Sequence, residues 1–301
     1  MIAKVLNSDW NQPIRTEDFG LRHNIPVVSY DLVGDAFNLA LDDGCEYLLD
    51  VVSSEMLQWG PQGEEMEAFR YLCIRANESV WLVNFINNHH NCVSIVLDLE
   101  NSLTTMVVSE TGAYPKRPKL LRHEYLFGAI RRDGEPLNAI RHCFTDDLVG
   151  KKIAWDYSDV LTITHIFHTA NSIRSSLKNM RPLPPEASPE QIENCADRSR
   201  RWGALLFEER ARYVKISDTL YLVTFVEDNR NRLNPATGGG DLLLLVDTKR
   251  VRDVGRGFGI EPNGPVMRLV NCQGRWIEEH DEMVDIPSPY WIGDLSERNS
   301  L

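Results

Sequence analysis

The chain has 301 residues, 43% of them hydrophobic and 25% charged, with a formal net charge of −12. These values are typical of a globular protein of roughly two domains, and the negative surface disfavours a nucleic acid as a partner. No stretch approaches the ~18 apolar residues of a membrane-spanning helix, and the N-terminus lacks the apolar core of a signal peptide. The six cysteines are scattered, with no C-x-x-C pair. The sequence therefore predicts a reduced, cytoplasmic protein without a membrane partner.

The first half reads as an arm followed by short strands. Residues 1–30 contain X-Pro pairs that disfavour helix and predict an irregular arm. Residues 31–140 alternate between apolar and polar positions, with turn signals at Asp42-Asp43-Gly44 and Ala76-Asn77-Glu78-Ser79. Short strands joined by such turns predict an antiparallel meander. No long helical period is present before residue 115.

The second half repeats this organisation. Residues 141–265 contain strand patterns interrupted by a proline-rich stretch, 179–197, and by a polar stretch, 228–240. The tail, 266–301, is rich in Pro, Asp and Glu, and its aromatic residues predict that it packs onto the rest of the chain.

An internal duplication explains the similarity of the two halves. Asp31-Leu32-Val33-Gly34 recurs as Asp147-Leu148-Val149-Gly150, and a Glu-x-x-Arg-Tyr-x-x-Ile segment that begins at Glu67 recurs 142 residues later at Glu209. Repeats of this kind indicate two copies of one structural unit. About eight short antiparallel strands per copy would leave two open sheet edges, and closure into a barrel removes both. The prediction is an all-β protein with two tandem antiparallel barrels, each able to fill itself or to hold one small ligand.

Several segments of both halves match the pattern of one known family. In the second half they are Asp147-Leu148-Val149-Gly150-Lys151-Lys152, Trp155-Asp156-Tyr157, Thr164-His165-Ile166-Phe167 and Arg212-Tyr213-Val214-Lys215-Ile216 with the strand that follows. In the first half they are Asp43-Gly44, Trp59, Tyr71 and Val96-Leu97-Asp98. These segments resemble the molybdenum cofactor biosynthesis protein F (MoaF) family, and the resemblance implies tandem calycin-like, that is lipocalin-like, barrels. The second half also resembles the phenolic acid decarboxylases more distantly, through Asp147-Leu148-Val149-Gly150-Lys151 and Phe225-Val226-Glu227.

Four residues of the second half are candidates for catalysis. His165 alternates with apolar neighbours, so an inward imidazole could act as a general acid or base. Tyr157 could donate a hydrogen bond to a developing oxyanion, Arg212 could bind a carboxylate, and Glu227 could act as a base near the barrel mouth. Each also has a structural interpretation: a hydrogen-bonded core histidine, a packed tyrosine, a framework arginine repeated as Arg70, and an exposed carboxylate.

Ligand-binding candidates are aromatic residues on the same strands, and core packing is the alternative for each. They are Tyr213, Tyr221, Trp155, Phe167, Phe225 and Trp202. His165 and His168 are three apart in a strand and face opposite sides, so they cannot share a metal. His89-His90 lies in a polar loop without an acidic or cysteine partner. We therefore expect no metal and no cofactor.

Three functions remain open at this point. The first is a cofactor-independent isomerase, cyclase or lyase that acts by acid–base chemistry on a small hydrophobic or aromatic metabolite, preferentially in the second barrel. The second is a carrier that binds such a molecule without chemistry. The third is a scaffold with two filled barrels. A homodimer is left open by the sequence.

Overall fold

The computed structural model describes residues 26–114, 120–158, 161–178, 206–227, 240–261 and 263–277. Within these ranges all regular elements are β-strands, which confirms the all-β prediction. The five cysteines in this part of the chain form no disulfide. The predicted arm falls almost entirely outside the described residues.

The first barrel consists of eight antiparallel strands in chain order, and it closes because the first strand pairs with the last. Its strands are β1 Ala36–Leu41, β2 Glu46–Asp50, β3 Met56–Pro61, β4 Glu67–Arg75, β5 Val80–Ile86, β6 Cys92–Asp98, β7 Leu103–Glu110 and β8 Arg122–Arg131.

The second barrel also consists of eight antiparallel strands, closed by pairing of β10 with β17 and of β12 with β13. The short strand β9, in the linker between the barrels, pairs with β13 of the second barrel. Its elements are β9 Cys143–Phe144, β10 Lys152–Ser158, β11 Leu161–Thr169, β12 Ser172–Lys178, β13 Leu206–Lys215, β14 Leu220–Val226, β15 Gly240–Asp247, β16 Arg252–Glu261 and β17 Gly264–Trp276.

The domain limits differ from the sequence-based ones at the end of the second barrel. The predicted boundary at residue 265 falls at the start of β17, which runs to Trp276 and closes the barrel. Without this strand β10 and β16 would both present open edges. The first barrel ends at Arg131, so the connection to β10 spans residues 132–151. Of the predicted tail, residues 278–301 lie outside the described part of the chain.

The repeated Asp-Leu-Val-Gly phrase forms the same turn at the start of each barrel. Gly34 and Gly150 both adopt positive φ, at 92° and 85°, which favours glycine. The Gly34 amide donates to the Val51 carbonyl at 2.8 Å, and the Gly150 amide donates to the Phe167 carbonyl, also at 2.8 Å. Residues of β1 and β2 therefore correspond to residues 116 positions later in β10 and β11.

Two further features align the later strands of the repeats. The hydroxyl groups of Tyr71 and Tyr213 each donate to a backbone carbonyl of their own barrel, that of Ser53 at 2.9 Å and that of Ser172 at 2.7 Å. Ser102 and Val251 both adopt positive φ, at 54° and 49°. Each of their carbonyls accepts a hydrogen bond from the last strand of its own barrel, at 2.8 and 2.7 Å. The duplication inferred from the sequence is thus present in the backbone.

The outer faces of the two barrels pack against each other. One apolar cluster contains buried side chains of both, and the burial of each such side chain contributes about 1.5–3 kcal/mol. The first barrel provides Leu72, Ile74, Leu82, Val96 and Val107, and the second provides Leu222, Leu243, Leu245, Phe258 and Leu269.

A polar network lies within this interface. Arg256 is fully buried and forms an ion pair with Asp241. Its Nε donates to Ser94 Oγ at 3.1 Å, and its Nη2 donates to Ser109 Oγ at 2.7 Å. His123 Nε2 lies 2.6 Å from Asp241 Oδ2. Because the pair comes from the second barrel and the other three residues from the first, the network fixes how the barrels dock.

Candidate functional site

The two barrels differ in how one equivalent pair of strands fills the interior. Counted from the positive-φ residues Ser102 and Val251, Met106 and Val108 of β7 correspond to Gly255 and Gly257 of β16. Met106 and Val108 pack into the interior apolar cluster of the first barrel. In the second barrel these two places carry no side chain.

The second barrel also carries polar aromatic rings where the first has leucines. The corresponding pairs are Leu39 and Trp155, Leu41 and Tyr157, and Leu49 and His165. All of them are buried, and those of the second barrel belong to its interior wall. At these three positions the first barrel has apolar side chains, and the second has side chains with hydrogen-bonding groups.

Trp155 owes its position to a glycine on the adjacent strand. A Cβ atom at Gly274 would lie 2.5 Å from Cε3 and 2.7 Å from Cζ3 of the indole, so only glycine leaves room for the ring. The Trp155 Nε1 atom lies on the opposite edge of the indole from these two atoms. It is buried and has no hydrogen-bond partner among the described residues.

Tyr157 and Asp253 form a buried hydrogen-bonded pair. The Tyr157 hydroxyl donates to Asp253 Oδ2 at 2.9 Å across the barrel wall. Asp253 is fully buried, and its register places it beside Val246 and Cys272, which both belong to the interior cluster. The other carboxyl oxygen, Oδ1, has no partner in the described part of the chain.

The pKa values of this pair are set mainly by burial. Burial raises the pKa of Asp253 to about 7, although the Tyr157 hydroxyl and the Cys272 amide oppose the shift. Burial, followed by the nearby Asp253 carboxyl, raises the pKa of Tyr157 well above its usual value. Tyr157 consequently keeps its proton, while Asp253 exchanges its own near neutral pH.

His165 lies on the same wall as this pair and is held neutral. Its ring is 5.2 Å from that of Phe225 and 6.4 Å from that of Trp155, between centroids, in edge-on arrangements. Burial lowers its pKa to about 3. His168, on the opposite face of the strand as expected, lies 3.9 Å from Glu208 and is partly exposed.

The interior is divided into two walls of different character. The polar wall comprises Ser175, His165, Trp155, Tyr157 and Asp253 on strands β12, β11, β10 and β16. His165 and Ser175 are direct cross-strand partners, and β17 connects β10 with β16. The apolar wall faces it from strands β13 to β15 and comprises Ala211, Val223, Phe225, Leu242 and Leu244.

One end of the barrel is closed by the repeated turn. Leu148 of this turn is fully buried against the interior cluster. The Tyr221 hydroxyl donates to Asp147 Oδ2 at 3.1 Å, and the Phe167 and Tyr213 rings meet edge-on at 5.5 Å between centroids. The strand ends at Ser158 and Val226 lie at the opposite end of the barrel.

Comparison with known proteins supports the predicted family resemblance for the first barrel. Residues 16–113 match the MoaF N-terminal domain. The match covers the first seven strands of the MoaF-like first barrel, and the second barrel repeats its topology. No curated protein sequence matches the chain. The resemblance to the phenolic acid decarboxylases stays a prediction.

A solved structure that matches the chain is a Burkholderia vietnamiensis protein with a provisional assignment as a beta-lactamase. It is 11% identical, covers 44% of this chain and 96% of its own, and has a TM-score of 0.28. A similarity of this size carries no argument about function.

The structure brings three of the four predicted catalytic residues to the second barrel's interior side. His165 and Tyr157 lie on the polar wall, and Glu227 at the end of β14 lies close enough to raise the pKa of Tyr157. Arg212 is not brought to this site. It projects outward and is exposed, with its guanidinium 5.3 Å from the centre of the Phe144 ring. Its parity in the strand is opposite to that of Tyr213, which points inward.

The predicted ligand-binding aromatic residues divide into two groups. Trp155 and Phe225 lie in the middle of the interior, next to His165. Tyr213, Tyr221 and Phe167 lie at the closed end, where both tyrosine hydroxyls already have protein partners. These contacts fit the packing alternative, and a ligand-binding role for the closed-end residues stays a prediction. Trp202 lies outside the described residues.

Sequence reasoning missed Asp253, whose pKa burial raises to about 7. The signal was the alternation Gly255-Arg256-Gly257-Phe258-Gly259, which places three glycines on the same face of the strand as Asp253. A strand face that consists of one aspartate and three glycines is unusual for a barrel interior, and it would have pointed to this acid.

The described residues contain no group of three or more His, Cys, Asp or Glu arranged to hold a metal ion. In the same ranges, no helix has the length and apolar character needed to cross a bilayer.

Proposed function

We propose that the second barrel binds a small, largely apolar or aromatic molecule and transfers a proton to or from it. The observation that carries this proposal is the buried Tyr157–Asp253 pair. Tyr157 occupies one carboxyl oxygen of Asp253, the other oxygen is left for a ligand, and the pKa of the acid lies near 7. A group with this pKa gives up and takes back a proton at neutral pH, as general acid–base catalysis requires.

The interior suits such a ligand because it combines one polar wall with one apolar wall. The apolar wall would bury the body of the molecule, and the polar wall would orient its reacting part. Isomerisation, cyclisation and lyase reactions that begin with proton transfer at carbon all fit this arrangement. The chemistry uses side chains of this chain alone.

Solvent deuterium exchange tests the proposal directly. The protein is incubated in D₂O with a panel of phenols and enolisable aromatic ketones, and deuterium in the recovered compounds is measured by mass spectrometry. We expect exchange that Asp253→Asn slows by at least about 100-fold. The rate should rise as the pH passes upward through about 7, because the base form of Asp253 is the deprotonated one.

Thr104→Val is the matched control, because Thr104 is the counterpart of Asp253 in the MoaF-like first barrel. Its hydroxyl donates to the Val96 carbonyl at 2.9 Å, and its loss should leave exchange unchanged. Equal exchange in wild type and Asp253→Asn would contradict the proposal, as would an equal loss in Thr104→Val.

A carrier is the second candidate, favoured by the neutral state of His165. An imidazole that stays uncharged across the physiological range can hold a ligand by hydrogen bonding without moving a proton. Tight binding in wild type and Asp253→Asn alike, without deuterium exchange in either, would establish the carrier.

A further inference from the structure

Three buried polar groups on the polar wall lack hydrogen-bond partners within the described residues. They are Trp155 Nε1, Ser175 Oγ and Asp253 Oδ1. Trp155 and Asp253 are fully buried, and Ser175 is 8% exposed. Unpaired polar groups in a dry interior are unfavourable and uncommon, so their presence together calls for a ligand that pairs with them.

The three groups lie on one continuous stretch of the barrel wall. Ser175 is the cross-strand partner of His165, and the His165 ring is next to that of Trp155. Tyr157, two residues after Trp155, reaches Asp253. One small molecule lying along this wall can therefore meet an N–H donor, a hydroxyl group and a carboxyl oxygen at once.

We propose that the ligand of the second barrel is an uncharged aromatic compound with a carbonyl oxygen, to which Trp155 Nε1 donates a hydrogen bond. This inference rests on the proposed function and specifies its substrate class. The aromatic body would lie against Phe225 and Leu244 of the apolar wall, and the carbonyl oxygen would face Trp155 and Ser175.

The charges around the interior explain why the compound is uncharged. Asp253 and Glu209 are buried acidic side chains of the inner face, and Glu227 stands at its edge. Arg268, whose register places it on the inner face of β17, already has an interaction partner. A ligand carboxylate would meet acidic groups, with no positive charge from the neutral His165 to offset them.

The proton transfer balances without an external reagent. Asp253 Oδ1 forms an O–H bond with the proton of the carbon next to the carbonyl, and the C–H bond breaks. Its electron pair becomes the second bond between the two carbons, and the carbonyl π pair moves onto oxygen, where the Trp155 N–H stabilises the enolate. Return of the proton to carbon or oxygen regenerates Asp253.

Indole N–H resonances provide a residue-specific test. ¹⁵N-labelled protein is titrated with 2-acetylnaphthalene, an aryl methyl ketone, and with 2-naphthoate, which has the same ring and a carboxylate. The ketone should shift the Trp155 indole signal, assigned through Trp155→Phe, and 2-naphthoate should bind at least about ten-fold more weakly. Loss of the single neutral hydrogen bond in Trp155→Phe should weaken ketone binding about five-fold.

Trp81 is the matched control. Its Nε1 is also buried and has no hydrogen-bond partner in the described ranges, but it lies in the apolar cluster of the first barrel. Its signal, assigned through Trp81→Phe, should not move. Ser175→Ala is a smaller change to the polar wall than Trp155→Phe and should weaken ketone binding about three-fold. A Trp81 shift without a Trp155 shift, tighter binding of 2-naphthoate, or no ketone binding would overturn the substrate class.

The test separates this inference from the proposed function. Deuterium exchange that depends on Asp253, without any effect of ligands on the Trp155 signal, would support acid–base catalysis and contradict the aryl ketone as the ligand class. Ketone binding at Trp155 without deuterium exchange would support the ligand class and contradict the proposed catalysis.

Discussion

Asp253 occupies an inward position on a barrel strand, where the first barrel has the uncharged Thr104. In the ionised state it is a buried charge that forms no ion pair with the residues the structure describes, and Tyr157 is its hydrogen-bond donor. Such a group lowers the stability of the fold and is retained where chemistry requires it. The effect of Asp253 on the free energy of unfolding can be measured separately from its effect on proton transfer.

Asp253→Asn should stabilise the protein at neutral and alkaline pH. The folded pKa of Asp253 is raised from 3.8 to about 7, so its unfavourable contribution is absent below pH 4 and complete above pH 7. One pKa unit corresponds to about 1.4 kcal/mol, which sets an upper limit of about 4 kcal/mol for the gain. Urea denaturation at pH 4.5 and pH 8 measures it. A gain that is equal at both pH values would show that Asp253 has an ordinary pKa.

His165→Leu, which copies Leu49 of the first barrel, should change stability with the opposite pH dependence. The unfolded histidine binds a proton below pH 6.5, whereas the folded one does so only near pH 3. Wild type therefore loses about 1.4 kcal/mol per pH unit below pH 6.5 from this residue, and the variant does not. Denaturation curves between pH 7 and pH 4.5 should show a widening difference in favour of the variant. A constant difference would contradict the neutral, buried state.

The sequence predicts which side chains face the barrel interior only where apolar and polar residues alternate clearly along a strand. His165 was predicted to face inward because it alternates with apolar neighbours, and the structure agrees. Arg212 and Tyr213 were both candidates for the site, although adjacent residues of a strand face opposite sides. The pairing of Tyr157 with Asp253 spans 96 residues and depends on how β10, β17 and β16 are ordered in space, which a single sequence does not specify.

Strand β16 carries glycines on its inner face. Two of them, Gly255 and Gly257, have different surroundings. A Cβ atom at Gly257 would meet only the Asp241 carbonyl oxygen, at 3.7 Å, which is ordinary contact. A Cβ atom at Gly255 would lie 2.0 Å from the Leu243 carbonyl oxygen, so this position needs glycine for the close approach of β15.

Gly257→Val should fill the interior while the fold is maintained, since Val108 occupies the equivalent place in the first barrel. We expect ligand affinity to fall at least ten-fold and thermal stability to stay the same or rise. Gly255→Ala should lower the melting temperature, because the backbone must shift to accommodate one methyl group. Ligand titration and thermal unfolding of both variants measure these effects. Unchanged binding in a folded Gly257→Val protein would place the ligand elsewhere.

Most strands could be predicted from alternation and turn residues, but β3, β12 and β17 could not. β17 begins where the predicted second barrel ends. β3 ends in Gly60-Pro61, which are breakers in most strands, and β12 contains three serines and two charged residues among its seven. Both strands are held by pairing on either side rather than by their own composition. Their place could be inferred from closure of the barrel, which requires an eighth strand in each repeat.

At the scale of the molecule, the buried Arg256–Asp241 pair links the barrels. Arg256→Met should destabilise the protein by about 3–5 kcal/mol, because it leaves the Asp241 carboxylate buried without its cation. The double variant with Asp241→Leu should recover part of this loss. Arg275→Met, which removes the exposed pair with Asp156 at 2.9 Å, is the control and should cost less than about 1 kcal/mol. Urea denaturation of the three proteins checks this, and equal costs for Arg256→Met and Arg275→Met would contradict it.

The duplication gave the protein two barrels with the same backbone and different interiors. The interior of the MoaF-like first barrel contains aliphatic and aromatic side chains. At equivalent positions the second barrel has polar aromatic rings in place of three leucines, and glycines in place of Met106 and Val108. A crystal of the protein soaked with a bromine-substituted 2-acetylnaphthalene locates the ligand through the anomalous signal of bromine. The account predicts bromine in the second barrel, between Phe225 and the polar wall, and none in the first; bromine in the first barrel or only on the surface would contradict it.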